Sequence, residues 1–172
     1  MESKVKILGH PVHPMVVVFP LGLLGTAVIF DILALIQHSY SWYRIDFWMI
    51  AVGVIGGLLA AVFGLIDWLA IPANTRAKQI GFYHAIMNTV VVLLFIASWF
   101  LRQSNDEVPS ATALTLSFLG ACVAGVGAWL GGELVYRLNI GVDPGANANA
   151  PNSLAQQHPP SRQKDYPQRK AS

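Results

Sequence analysis

Four long apolar runs constrain this chain more than any other feature. They are Met15–Gln37, Phe47–Ile71, Ile80–Leu101 and Thr112–Tyr136. A helix of about 20 apolar residues spans a bilayer, and each run is long enough. Their only Asp, Glu, Lys or Arg residues are Asp31, Asp67 and Glu133. None shows sustained period-2 alternation, so helices are expected rather than barrel strands. Composition agrees: charged residues make up 12 % of the chain, against roughly 25 % in soluble domains. A mean hydropathy of +0.51 excludes both a soluble globule and a chain disordered throughout.

The fold class predicted is all-α, an integral membrane four-helix bundle. The connections, residues 38–46, 72–79 and 102–111, are short, which makes successive helices antiparallel in an up-down-up-down order. Small residues four apart mark packing faces: Gly53, Gly57 and Ala61; Gly56, Ala60 and Gly64; Gly120, Ala124, Ala128 and Gly132. Pro20 predicts a kink in the first span. That span is too long for a signal peptide and lacks a small-residue cleavage site, so it is read as retained. The membrane domain is assigned to residues 1–142. From about Asn139 apolar periodicity is lost, and residues 143–172 are expected to be a disordered tail.

Lys4, Lys6, Arg76, Lys78 and Arg137 flank the spans on the side of the N-terminus, here side A. Arg44 and Arg102 flank them on the opposite side B. The positive-inside rule then puts side A, with both termini, in the cytoplasm of a bacterial inner membrane. A net charge of +2 argues against a nucleic-acid partner. The single Cys122 allows no internal disulfide and lies in an apolar run. No Gly-rich phosphate loop, Gly-x-Ser-x-Gly elbow or Cys-x-x-Cys pair is present. Ser98 and Ser117 lie mid-span with nothing titratable nearby in sequence, so nucleophilic catalysis has no support.

Ionisable residues inside spans are functional hypotheses by default. Asp67, His84 and Glu133 all fall roughly 5–6 Å inside the side A span ends, at about 1.5 Å per residue. Asn88 lies one turn beyond His84 on the same face, and His10 and His13 precede the first span. Six polar residues therefore share one membrane level. In His10-Pro11-Val12-His13-Pro14 each His precedes a Pro, so an extended polyproline-like stretch is expected, with both imidazoles facing one way. This set could bind a divalent metal through His10, His13, Asp67, His84 and Glu133. It could instead hold a single haem b, ligated by His84 with His10 or His13, with Asn88 orienting the ligand. A two-haem arrangement fails because side B offers only His38.

The competing reading is structural. Asp67 and Glu133 are shallow enough to snorkel to water. Glu133 has Arg137 as an i,i+4 partner, and Trp68, Trp129 and Tyr136 fit an aromatic belt. Asp31 is expected to pair with Arg44 or interfacial water.

Several segments resemble a known family: Gly9-His10-Pro11-Val12-His13-Pro14-Met15, Phe19-Pro20-Leu21-Gly22, Gly64-Leu65-Ile66-Asp67-Trp68, His84-Ala85-Ile86-Met87-Asn88 and Trp129-Leu130-Gly131-Gly132-Glu133-Leu134-Val135-Tyr136-Arg137 with Gly141-Val142. Together, over residues 7–142, they look like the four-helix bacterial membrane proteins of domain-of-unknown-function family 2231. The resemblance implies fold and location, not an activity. Some members of that family are joined to Rieske-type iron–sulfur domains, which implies redox chemistry at the membrane. This chain has no cysteine set for a cluster.

The favoured expectation is a small membrane protein with a cytoplasm-facing metal or single-haem site, serving electron transfer with a membrane redox protein. A proton-coupled carrier using Asp67, Glu133 and His84, dimerised into a homo-oligomer, is one rival. A structural or partner-binding protein without cofactor is the other.

Overall fold

The computed structural model describes residues 1–38, 40–103 and 108–155. A two-residue hairpin, β1 (Lys6–Ile7) with β2 (His10–Pro11), opens the chain. Four helices follow: α1 (Val12–Gln37), α2 (Tyr40–Ala70), α3 (Arg76–Gln103) and α4 (Ala111–Gly132). A π-helical turn, Glu133–Arg137, continues α4, so the fourth span is Ala111–Arg137. All four are long and apolar enough to cross a membrane. The fold is an all-α membrane bundle, as predicted.

Each helix begins ahead of the apolar run that signalled it. The starts of α2 and α3 bring Asp46 and Arg76 into helices, and the end of α3 brings in Arg102. At α1 the difference corrects the polyproline expectation. Leu8 and Gly9 turn the hairpin at φ 51° and 83°, the positive values a tight two-residue turn requires. His10 and Pro11 are strand residues, and Pro11, extended at φ −66° and ψ 131°, caps a helix that already contains His13. Pro14 falls in the first turn, where its missing N–H costs nothing.

The packing order is α1 on α2 and α3 on α4, with the two hairpins joined chiefly through α2 and α3. Leu24, Ala27, Val28, Ile50, Val91 and Phe95 form the central core. Ala34, Tyr43 and Leu114 form a smaller cluster toward side B. Outward faces are apolar and exposed, including Phe19, Ile36, Trp48, Ile55, Leu69 and Phe100. Lipid tails are the solvent for such a surface.

The small-residue stripes are packing faces. A Cβ on Gly53 would meet Leu24 at 2.6 Å, and one on Gly120 would meet the Phe95 ring at 2.8 Å. Helix α1 runs unbroken through Pro20. The proline ring lies against Gly56, where a Cβ would come within 3.1 Å of it. The stripe thus makes room for the bulk of the ring.

Residues 139–155 turn back on the N-terminal segment: Gly141 N–H donates to Met1 O and the Met1 ammonium donates to Asn139 O, both at 2.8 Å. The rest of the expected tail, residues 156–172, lies outside the described residues.

Candidate functional site

The polar residues that share the side A level do not meet at one point. They resolve into separate pairs.

His13 in the first turn of α1 reaches across to α2, and its Nδ1 lies 2.9 Å from Ala60 O. His84 in α3 reaches α4, and its Nδ1 lies 2.9 Å from Gly127 O. A carbonyl oxygen only accepts, so both imidazoles carry the proton on Nδ1 and donate it. In that tautomer the lone pair lies in the ring plane on Nε2. Glycines seat both rings. A Cβ on Gly64 would come within 2.9 Å of His13 Cε1, and one on Gly131 within 3.2 Å of His84 Cε1. The two rings come from opposite hairpins, His13 from α1 and His84 from α3.

Asn88 secures His84 from one turn away. Its Nδ2 donates to His84 O at 2.8 Å and lies 3.3 Å from both ring nitrogens. An in-plane approach equidistant from both nitrogens would collide with Cε1, so the amide sits over the ring face. From there it does not engage the Nε2 lone pair, which lies in the ring plane.

The remaining three predicted residues face elsewhere. His10 is exposed, with Nε2 3.3 Å from Ser153 Oγ. Asp67 anchors the N-terminal segment: Ser3 Oγ donates to it at 2.6 Å and the Lys4 backbone N–H at 2.7 Å. Glu133 pairs with Arg76 at 2.8 Å, the partner presented by α3, rather than with Arg137 on its own helix. The Arg76 side chain is 59 % exposed, so this ion pair contributes at most about 1 kcal/mol. Among the described residues no group of three or more His, Cys, Asp or Glu is gathered closely enough to hold a metal ion.

The Asp67 contacts carry a test. Replacing Asp67 with Ala removes two hydrogen bonds to an ionised acceptor, each of the kind that contributes about 1.5–3 kcal/mol. The expected result is faster amide exchange across residues 1–11 with the four helices unchanged, read by hydrogen exchange. Equal exchange in the variant would show that the segment is held by its other contacts alone.

Trp68 belongs to a clamp at the α2–α3 connection. Its Nε1 donates to Lys78 O at 3.1 Å, while Lys78 Nζ donates back to Trp68 O at 2.7 Å and lies 3.9 Å from the ring centroid. The π-system and carbonyl both attract the ammonium.

A second polar centre, on side B, was missed from the sequence. Asp31 pairs not with Arg44, which is exposed, but with Arg102. The Arg102 guanidinium grips Asp31 with both terminal nitrogens, at 2.8 and 2.7 Å. It also pairs with Asp46 through Nη1. Its Nε donates to Ser98 Oγ at 3.2 Å and Nη2 to Ser117 Oγ at 2.9 Å. The centre thus draws one or more residues from every helix. Arg102 sits near the side B end of α3, but helical side chains lean toward the N-terminus, which carries its guanidinium inward onto Ser98. The two serines in mid-span are explained by this charge. A polar period would not have found them, since each is one hydroxyl in an apolar run.

Comparison with known proteins places the chain. The family model described as predicted membrane protein (DUF2231) matches residues 9–144. The chain belongs to the DUF2231 family. The match covers all four helices, the His13–His84 pair and the side B centre, and stops short of the terminal residues. No curated protein and no solved structure matches the chain.

Proposed function

We propose that this DUF2231 protein is a membrane electron carrier in which His13 and His84 would hold a single haem b. The observation that carries the reading is the matched pair of imidazoles. They come from opposite hairpins, and each has its Nδ1–H fixed on a backbone carbonyl, which leaves Nε2 as the nitrogen with a lone pair to offer. A hydrogen bond of this kind sets the tautomer and orientation of a ligating His. Donor number favours haem over a bare ion. A structural zinc site takes four protein ligands and a catalytic one three, whereas a haem brings its own four nitrogens and asks the protein for two. Asn88 over the His84 ring and the glycines behind both rings restrict their motion, so little ordering is left for binding.

Haem supplies one-electron chemistry, so the expected partner is another membrane redox protein. The Lys and Arg residues near the span ends, concentrated on side A, support an inner-membrane orientation with both termini in the cytoplasm.

The test is an absorption spectrum of the full chain purified in detergent from haem-replete cells. A Soret band that shifts on reduction is expected, and it should vanish in both His13→Ala and His84→Ala. A protein with native helical circular dichroism and no Soret band overturns the reading. So does a band that survives either substitution, or stoichiometric zinc without a band.

One observation favours a second reading. Each imidazole already staples two helices through a carbonyl, which suits a structural role without cofactor. That reading expects no chromophore, with lower stability in the same two variants.

A further inference from the structure

The side B centre has more acid than base. Arg102 carries one positive charge and faces two carboxyl groups, Asp31 and Asp46. The side chains are 2 % exposed for Arg102 and 0 % for both acids. The groups that complete the centre are hydroxyls, Ser98 from α3 and Ser117 from α4, and the buried Tyr43 phenol stands one turn before Asp46 on α2. Among the described residues no second cation faces it. With both acids ionised, one full negative charge would be sealed in a bundle surrounded by lipid. Such a charge costs several kcal/mol even after relaxation.

Counting donors identifies where the imbalance sits. A guanidinium has five N–H groups, and all five are engaged. Two from Nη1 go to Asp31 and Asp46, two from Nη2 to Asp31 and Ser117, and Nε to Ser98. The Ser98 hydroxyl donates to Ala113 O at 2.7 Å, and Ser117 Oγ lies 2.9 Å from Ser98 Oγ and 3.4 Å from Ala113 O. Both hydroxyl protons therefore have acceptors other than Asp46. Asp31 receives the bidentate fork expected of an ionised carboxylate. Asp46 receives one bond on Oδ2, and its Oδ1 is fully buried with no partner. The carboxyl groups of Asp31 and Asp46 are both bonded to Nη1 of the same guanidinium. Two ionised carboxylates on one guanidinium nitrogen repel each other, whereas a proton on one of them removes that repulsion.

We propose that this centre is a proton-binding site: Asp46 Oδ1 holds one proton, and the resting centre is neutral. Binding forms the Oδ1–H bond and removes the surplus charge, and release restores it. The site stands roughly 9 Å inside the side B end of α1, six residues at 1.5 Å each. It is separated from His84 by roughly 21 Å of α3, with Val91 and Phe95 of the apolar core between them. It is therefore a centre independent of the haem reading.

Infrared spectroscopy of the full chain in lipid vesicles reads this proton directly. The wild type is expected to show, at neutral pH, the carbonyl stretch of an un-ionised carboxylic acid. The band should shift when the protein is made with aspartate carrying a heavy carbon in its carboxyl group. It should be unchanged by sodium chloride and lost in Asp46→Asn, where the amide replaces the acid. The absence of an acid band in the wild type at neutral pH overturns the proposal, whether or not the variant folds. So does a band that fails to shift with labelled aspartate or survives in Asp46→Asn. A band seen only in sodium-free buffer also overturns it, because the site then takes a metal cation.

Discussion

Replacing Arg102 by Met is expected to prevent the protein from accumulating in folded form. The substitution keeps an unbranched apolar stem and removes the guanidinium. Asp31, fully buried, then loses its counter-charge, and Asp46, also fully buried, loses its bond from the same guanidinium. Ser98 and Ser117 lose a donor each. Removing one partner of a buried ion pair costs about 3–5 kcal/mol. That is a large share of the roughly 5–15 kcal/mol that holds a typical domain together. Folding is restored by removing the acids as well. The triple variant Arg102→Met, Asp31→Asn, Asp46→Asn leaves no uncompensated charge and is expected to recover most of the native stability. The measurement is the denaturant midpoint in detergent, with yield of monodisperse protein as a first screen. A single variant as stable as wild type would show that the centre does not hold the four helices together.

The second large effect is expected at Gly120. Its α-carbon faces Phe95, which is 1 % exposed and cannot swing aside. A Cβ would lie 2.8 Å from Cε2, 3.1 Å from Cδ2 and 3.4 Å from Cζ of that ring. Val in place of Gly120 adds further methyls at the same spot, and overpacking of this kind costs about 1–3 kcal/mol. In a bilayer, close packing is a main force joining helices, so the α3–α4 hairpin is expected to open. Phe95→Leu in the same chain should recover part of the loss by shortening the opposing side chain. Gly125→Val is the control: that glycine is exposed with nothing within 4 Å, and no loss is expected. If Gly120→Val and Gly125→Val unfold at the same denaturant concentration, the glycine stripe of α4 is not a packing requirement.

The spans were legible in the sequence because a bilayer imposes a one-dimensional rule. About 20 apolar residues in a row satisfy it wherever the helix points. The glycine spacing carried further information, since residues four apart fall on one face. Gly53, Gly64 and Gly120 of those stripes do meet neighbouring side chains closely, whereas Gly132 has only Tyr136 of its own turn nearby and it is Gly131 that faces His84.

The sequence placed His10, His13, Asp67, His84, Asn88 and Glu133 at one level. Level is depth along the bilayer normal, and residues at equal depth can still face opposite ways. Rotation about each helix axis turned His13 and His84 toward the interior and left Asp67 and Glu133 to the N-terminal segment and Arg76. The side B centre failed to show for a related reason. Asp46 and Arg102 lie where the apolar runs stop, and a charge at such an edge reads as loop. The helices extend past those edges, and the charges turn inward because each finds its opposite there.

The sequence by itself therefore determined that this chain crosses a membrane four times, with short connections and glycine-lined faces. Those properties follow from local composition and helical period. The tertiary structure alone decided which charge meets which, because pairing depends on the relative rotation of four helices. No single run of residues encodes that rotation.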